Sequence, residues 1–111
     1  MILAQQPFFS FSSKDDEIMI QYAAQDALRK KGMGLKLNYK EAGIVICWHI
    51  IEQAGKGKPI EHIIDSSRKL LRASDVMIGV PEIMQKLVVN VQFKDGKNRQ
   101  VVVENPIKSG E

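Results

Sequence analysis

The sequence predicts an α+β fold: three main helices and a short helical turn, followed by a C-terminal two-stranded antiparallel hairpin. Three observations carry this. Apolar residues recur at i, i+3 and i+4 through three segments in the first two thirds of the chain. Beyond Pro81 the period shortens to two, with Leu87, Val89, Val91 and Phe93 alternating with Val88, Asn90, Gln92 and Lys94. Asp95-Gly96 then stands between that run and a second β-type run, as a hairpin turn requires.

Residues 1–12 show no period and hold Phe8, Phe9 and Phe11 around a proline, which predicts an irregular arm. The first helix is expected from Ser13, whose hydroxyl can accept an orphan amide ahead of Asp15, Asp16 and Glu17. Ile18, Met19, Tyr22, Ala23 and Ala27 are its expected apolar side, and Gly32 its stop. Asn38-Tyr39-Lys40-Glu41 has the spacing of a capping box and opens the second helix, which runs to about Ala54. There Ile44, Ile46, Cys47, Trp48, Ile50 and Ile51 span an arc of roughly 200°, about twice what a surface helix needs. Such a helix is central, or is partly covered by another chain.

Pro59 suits the start of a third helix, along which Ile60, Ile63, Ile64, Ser67, Leu70 and Leu71 keep one face. Ser74-Asp75 are expected to cap a short turn through Met77 that Gly79-Val80-Pro81 interrupts. The hairpin closes with Gln100–Glu104 and ends at Asn105-Pro106. Both its edges are expected to be open, which favours a partner. The expected organisation is an arm (1–12), one domain (13–107) and a short tail (108–111).

The chain has 111 residues, 44% hydrophobic and 26% charged, in the range of a folded globular domain. No apolar run reaches the roughly 20 residues of a membrane span. The N-terminus has neither the basic start nor the apolar core of a secretory signal. A single cysteine, Cys47, leaves no internal disulfide and suits a reducing compartment, so a cytoplasmic protein is expected. The pI of 9.1 raises the possibility of a nucleic-acid binder. Arg29, Lys30, Lys31 and Lys36 surround one helix end, however, and Arg68, Lys69 and Arg72 another, where cations oppose the macrodipole. A solvated-end role therefore outweighs a phosphate-binding patch.

No residue is assigned to a catalytic, cofactor-binding or metal site. His49 with Glu52 and Gln53, and His62 with Asp65, offer two ligands each at best, where a metal site needs three or four. Cys47 lies in the most apolar stretch, where a thiol acts as a small hydrophobe. Ser12, Ser13, Ser66, Ser67 and Ser74 sit at helix flanks without a nucleophile elbow. Gly32-Met33-Gly34 and Gly55-Lys56-Gly57 lack the strand-before, helix-after setting of a phosphate loop.

The segment Gly34-Leu35-Lys36-Leu37-Asn38-Tyr39-Lys40-Glu41-Ala42 resembles GLKLNYPEA of urease gamma subunits. Asp75-Val76-Met77-Ile78-Gly79-Val80-Pro81-Glu82-Ile83-Met84 is similar to the DVMxGVPEM of that family. Val91-Gln92-Phe93-Lys94-Asp95-Gly96 and Asn105-Pro106-Ile107 are similar to its hairpin, VEATFPDG, and its NPI exit. Order and spacing agree over about residues 13 to 107. The chain departs from the pattern with Lys40 and Lys94 for prolines, and with Glu52-Gln53-Ala54-Gly55-Lys56-Gly57-Lys58 for EGARDGK. The resemblance implies a non-catalytic gamma subunit of a complex that hydrolyses urea to ammonia and carbamate. It implies beta and alpha subunits and further gamma copies as partners, with nickel and the catalytic residues on the alpha subunit. No cofactor is implied in this chain. Because the sequence stops soon after Ile107, a separately encoded gamma subunit is expected. The alternative is a small basic helical module that binds nucleic acid or protein and has no connection with urea.

Overall fold

The computed structural model describes residues 8–10 and 14–108. Its elements are β1 (Phe8–Ser10), α1 (Lys14–Gly32), α2 (Tyr39–Gly55), α3 (Ile60–Ser67), a 3-10 turn (Ala73–Asp75), α4 (Val80–Ile83), β2 (Lys86–Gln92) and β3 (Asn98–Glu104). The α+β order of helices before a hairpin is the one expected. The Ser13 cap and Phe11 lie outside the described residues.

The central element is α2. Ala42, Gly43, Ile44, Val45, Ile46, Cys47, Ile50, Ile51 and Ala54 are all buried within this one chain. The wide apolar arc is thus covered by α1 on one side, α3 on another and β2 beneath. Of the two explanations for its width, central placement holds, and no partner is needed to cover it.

Glycine geometry ends both long helices in the same way. After α1, Leu35 N–H donates to the Lys30 carbonyl and Gly34 N–H to that of Lys31, each at 3.0 Å. After α2, Lys58 N–H reaches Gln53 and Gly57 N–H reaches Ala54, each at 3.1 Å. Both are Schellman closures, with Gly34 (φ +83°) and Gly57 (φ +81°) in the left-handed position. The stop of α1 is accordingly Gly34, while Gly32 is its last helical residue. This use of the second glycine accounts for both Gly-X-Gly triplets.

The capping box forms as written in the sequence. Asn38 Oδ1 accepts the Glu41 amide at 2.8 Å, and Glu41 Oε1 accepts the Asn38 amide at 2.9 Å. The other Glu41 oxygen takes Lys30 Nζ at 2.5 Å, tying the end of α1 to the start of α2.

Further expectations need correction. The arm is not wholly irregular: Phe8–Ser10 pairs in parallel with Val88–Asn90. One edge of the hairpin is therefore covered over three residues by the same chain, in the order β1-β2-β3. The inner face of α1 is Ile20, Ala24 and Ala27, not Ile18, Met19 and Tyr22, which point outward. Ala24 and Ala27, one turn apart, are the fully buried positions of α1, which packs against α2. Third, α3 ends at Ser67, with Pro59 as its cap residue, so Leu70 and Leu71 pack from the following turn.

The last correction concerns residues 73–83. The 3-10 turn covers Ala73–Asp75, and Asp75 Oδ2 caps backward onto the Arg72 amide at 2.9 Å. Val76 then pairs with Leu37, whose N–H and C=O bond to Asp75 and Met77 at 3.0 and 2.8 Å. Gly79-Val80-Pro81 does not interrupt a helix but begins one, with Gly79 at φ +94° ahead of α4.

The hairpin buries the alternate set expected of it. Leu87, Val89, Val91 and Phe93 face the core with Val101 and Val103 opposite. Asn105, at φ +50°, turns the chain so that Pro106 and Ile107 pack back into the core.

Candidate functional site

The chemistry-bearing side chains are used for packing and local bonds. His49 is half-buried on α2, with Nε2 2.8 Å from Ser66 Oγ. The Ser66 hydroxyl donates to the Ile63 carbonyl at 3.1 Å, which leaves its oxygen to accept the Nε2–H of His49, a bond open to the neutral and the protonated ring alike. Burial holds its pKa below the usual value, and Glu52 only partly offsets this. Asp65 pairs with Lys69 at 3.1 Å and makes no hydrogen bond to His62. Neither histidine–carboxylate pair singled out from spacing is therefore assembled. The actual partner of His49 lies 17 residues away, and no local pattern marks it.

Cys47 is fully buried, and desolvation pushes its thiol well above the normal range. Among the described residues no three His, Cys, Asp or Glu side chains gather where they could hold a metal ion. Ser67, one of the flank serines, is buried and donates back to the Ile63 carbonyl at 2.6 Å.

The cations at the helix ends are largely engaged. Arg29 pairs with Asp26, Lys30 with Glu41 and Lys31 with Asp75, while Lys36 donates to the Ser74 carbonyl. Lys30 and Lys31 thereby tie α1 to its neighbours, the Arg29 pair lies within α1, and Lys36 holds the loop that follows it. No helix among the described residues is long and apolar enough to cross a membrane.

What remains distinctive is apolar surface facing outward. On α1, Met19 is 70% and Tyr22 69% exposed, with Ile18 beside them. Between the 3-10 turn and α4, Ile78 is fully exposed and Met77 about half exposed, as is Ile83 at the end of α4. Ile78 and Met77 border an open groove walled by Ala73, Val76 and Pro81. The sequence periodicity assigned Ile18, Met19 and Tyr22 to the core, so it missed the α1 surface. The groove falls in the irregular segment, where no periodic signal exists.

This fold and surface define a small helix-and-hairpin unit that presents apolar residues outward on α1 and in the 77–83 segment. A family model described as the urease gamma subunit matches residues 10–107. The chain belongs to the urease gamma subunit family.

Proposed function

We propose that this chain is a non-catalytic structural subunit of a nickel-dependent urease complex, which hydrolyses urea to ammonia and carbamate in the cytoplasm. The family match over residues 10–107 carries the reading. The partners are the beta and alpha subunits and other gamma copies, and the nickel resides on the alpha subunit. The described residues of this chain offer no nickel site: His49 is bonded to Ser66, Cys47 is fully buried, and among the described residues no three His, Cys, Asp or Glu side chains gather at one place. Its contribution is therefore surface and shape: the outward residues of α1 and of the 77–83 segment are buried on assembly.

The test is reconstitution with urease beta and alpha chains. The isolated chain is expected to hydrolyse no urea and to retain no stoichiometric nickel. The double variant His49→Ala/His62→Ala should leave the activity of the assembled complex within a few fold. Loss of activity from a complex that still assembles and loads nickel would place a histidine in the chemistry and overturn the reading.

A further inference from the structure

We propose that the groove between the end of α2 and the β2–β3 turn binds an acidic peptide segment of a partner protein. The groove, about 380 Å³, has Lys58, Pro59 and Ile60 on one wall and Phe93, Lys94 and Arg99 on the other. Its charge is one-sided. The single carboxylate on the wall, Asp95, already accepts from Arg99 Nη2 and from the Lys97 amide, both at 3.0 Å. Lys58 and Lys94 both line the groove, and among the described residues neither makes an ion pair. A β-carbon on Gly57 would lie 3.2 Å from Lys94 Cδ, so the lysine stem passes close to the α2 terminus.

The floor is apolar, formed by half-buried Ile60 and nearly buried Phe93. A carboxylate-rich segment with an aliphatic side chain matches both features. Nucleic acid matches neither well, since single strands need exposed rings for stacking and a longer basic track. The ring of Phe93 lies beneath the Arg99 guanidinium, 5.1 Å away. The inference concerns a different surface from the α1 and 77–83 residues and stands whether or not the urease assembly forms.

The experiment titrates ¹⁵N-labelled full chain with the peptide Ac-Glu-Glu-Leu-Glu-Glu-NH2 at low salt. Shift changes should be confined to residues 57–60 and 93–99. Lys58→Gln/Lys94→Gln should weaken binding roughly fivefold or more, the size expected from losing two exposed ion pairs. Lys86→Gln, away on β2, should have no effect, and circular dichroism checks each fold. A peptide with Gln for every Glu should not bind, a control that needs no protein variant. The proposal is overturned by absent or dispersed shifts, or by equal binding of the Gln peptide. Tighter binding of inorganic phosphate or oligothymidylate at the same residues would overturn it too.

Discussion

Tyr39 packs against the core while its buried hydroxyl has no hydrogen-bond partner. Burial also pushes the phenol pKa up, which keeps the group neutral. A buried hydroxyl without a partner costs more than it returns, so Tyr39→Phe should leave stability unchanged or raise it by up to about 1 kcal/mol. Urea denaturation of the isolated chain measures this, and a clear loss would mean that the hydroxyl has an acceptor in solution. His49 gives a second residue-level expectation, with a sign fixed by its environment. Burial lowers its folded pKa below the unfolded 6.5, so on acidification the unfolded chain takes up the proton first. The stability contributed by neutral His49 is complete above that unfolded value and is lost as pH falls toward the folded one. Denaturation midpoints should therefore drop between pH 7.5 and 5.5 more in the wild type than in His49→Gln; equal drops would rule the histidine out as the cause. Neither feature was legible in the sequence. The Ser66 contact of His49 and the burial of the Tyr39 hydroxyl both arise from tertiary packing between segments distant along the chain.

Among the elements, the capping box and the strand alternation are legible in the sequence because their physics is local, whereas the α1 stop falls at Gly34, two residues beyond the Gly32 expected. The Asn38–Glu41 box is complete in four consecutive residues, and the alternation of β2 needs only a pleat and one buried face. Asn38→Ala should accordingly cost about 1 kcal/mol, and Glu41→Gln should keep the cap while losing the charge pairing with Lys30. Comparing thermal midpoints of the two variants separates the cap from the ion pair. Gly34→Ala and Gly57→Ala should each cost about 1 kcal/mol, because the left-handed penalty exceeds the entropy gained by removing glycine. Gly57→Ala should be the worse of the two, since only there would the new methyl meet a neighbour, the Lys94 stem. Elements whose placement depends on distant segments were misread. The faces of α1 could not be ranked by residue size, because the positions it buries fully are the small Ala24 and Ala27. The 73–83 segment follows no period at all; its course is set by the pairing of Val76 with Leu37.

For the whole molecule, assembly was anticipated in the sequence for a reason that the fold removes. The wide apolar arc of α2 fits a central helix or one partly covered by another chain, and it is core rather than surplus surface, with Ile50 fully buried and β1 covering part of one sheet edge. The surplus lies instead on α1 and in the 77–83 segment, and that relocation changes which substitutions separate folding from assembly. Ile50→Asp places a charge in a closed core and should unfold the isolated chain, so its effect on assembly carries no information. Ile78→Glu alters a side chain that touches solvent on all sides and should shift stability by no more than about 0.5 kcal/mol. Met19→Glu/Tyr22→Glu should behave similarly on the outer face of α1. If these faces are where urease partners dock, both variants keep the wild-type circular dichroism spectrum and denaturation midpoint but fail to co-purify with beta and alpha chains. They should also reduce any self-association of the isolated chain seen by sedimentation velocity, because fewer apolar groups remain outward. Full assembly by both variants, with folding unchanged, would show that the contacts lie elsewhere and would leave the exposure of Ile78, Met19 and Tyr22 without a role in the complex.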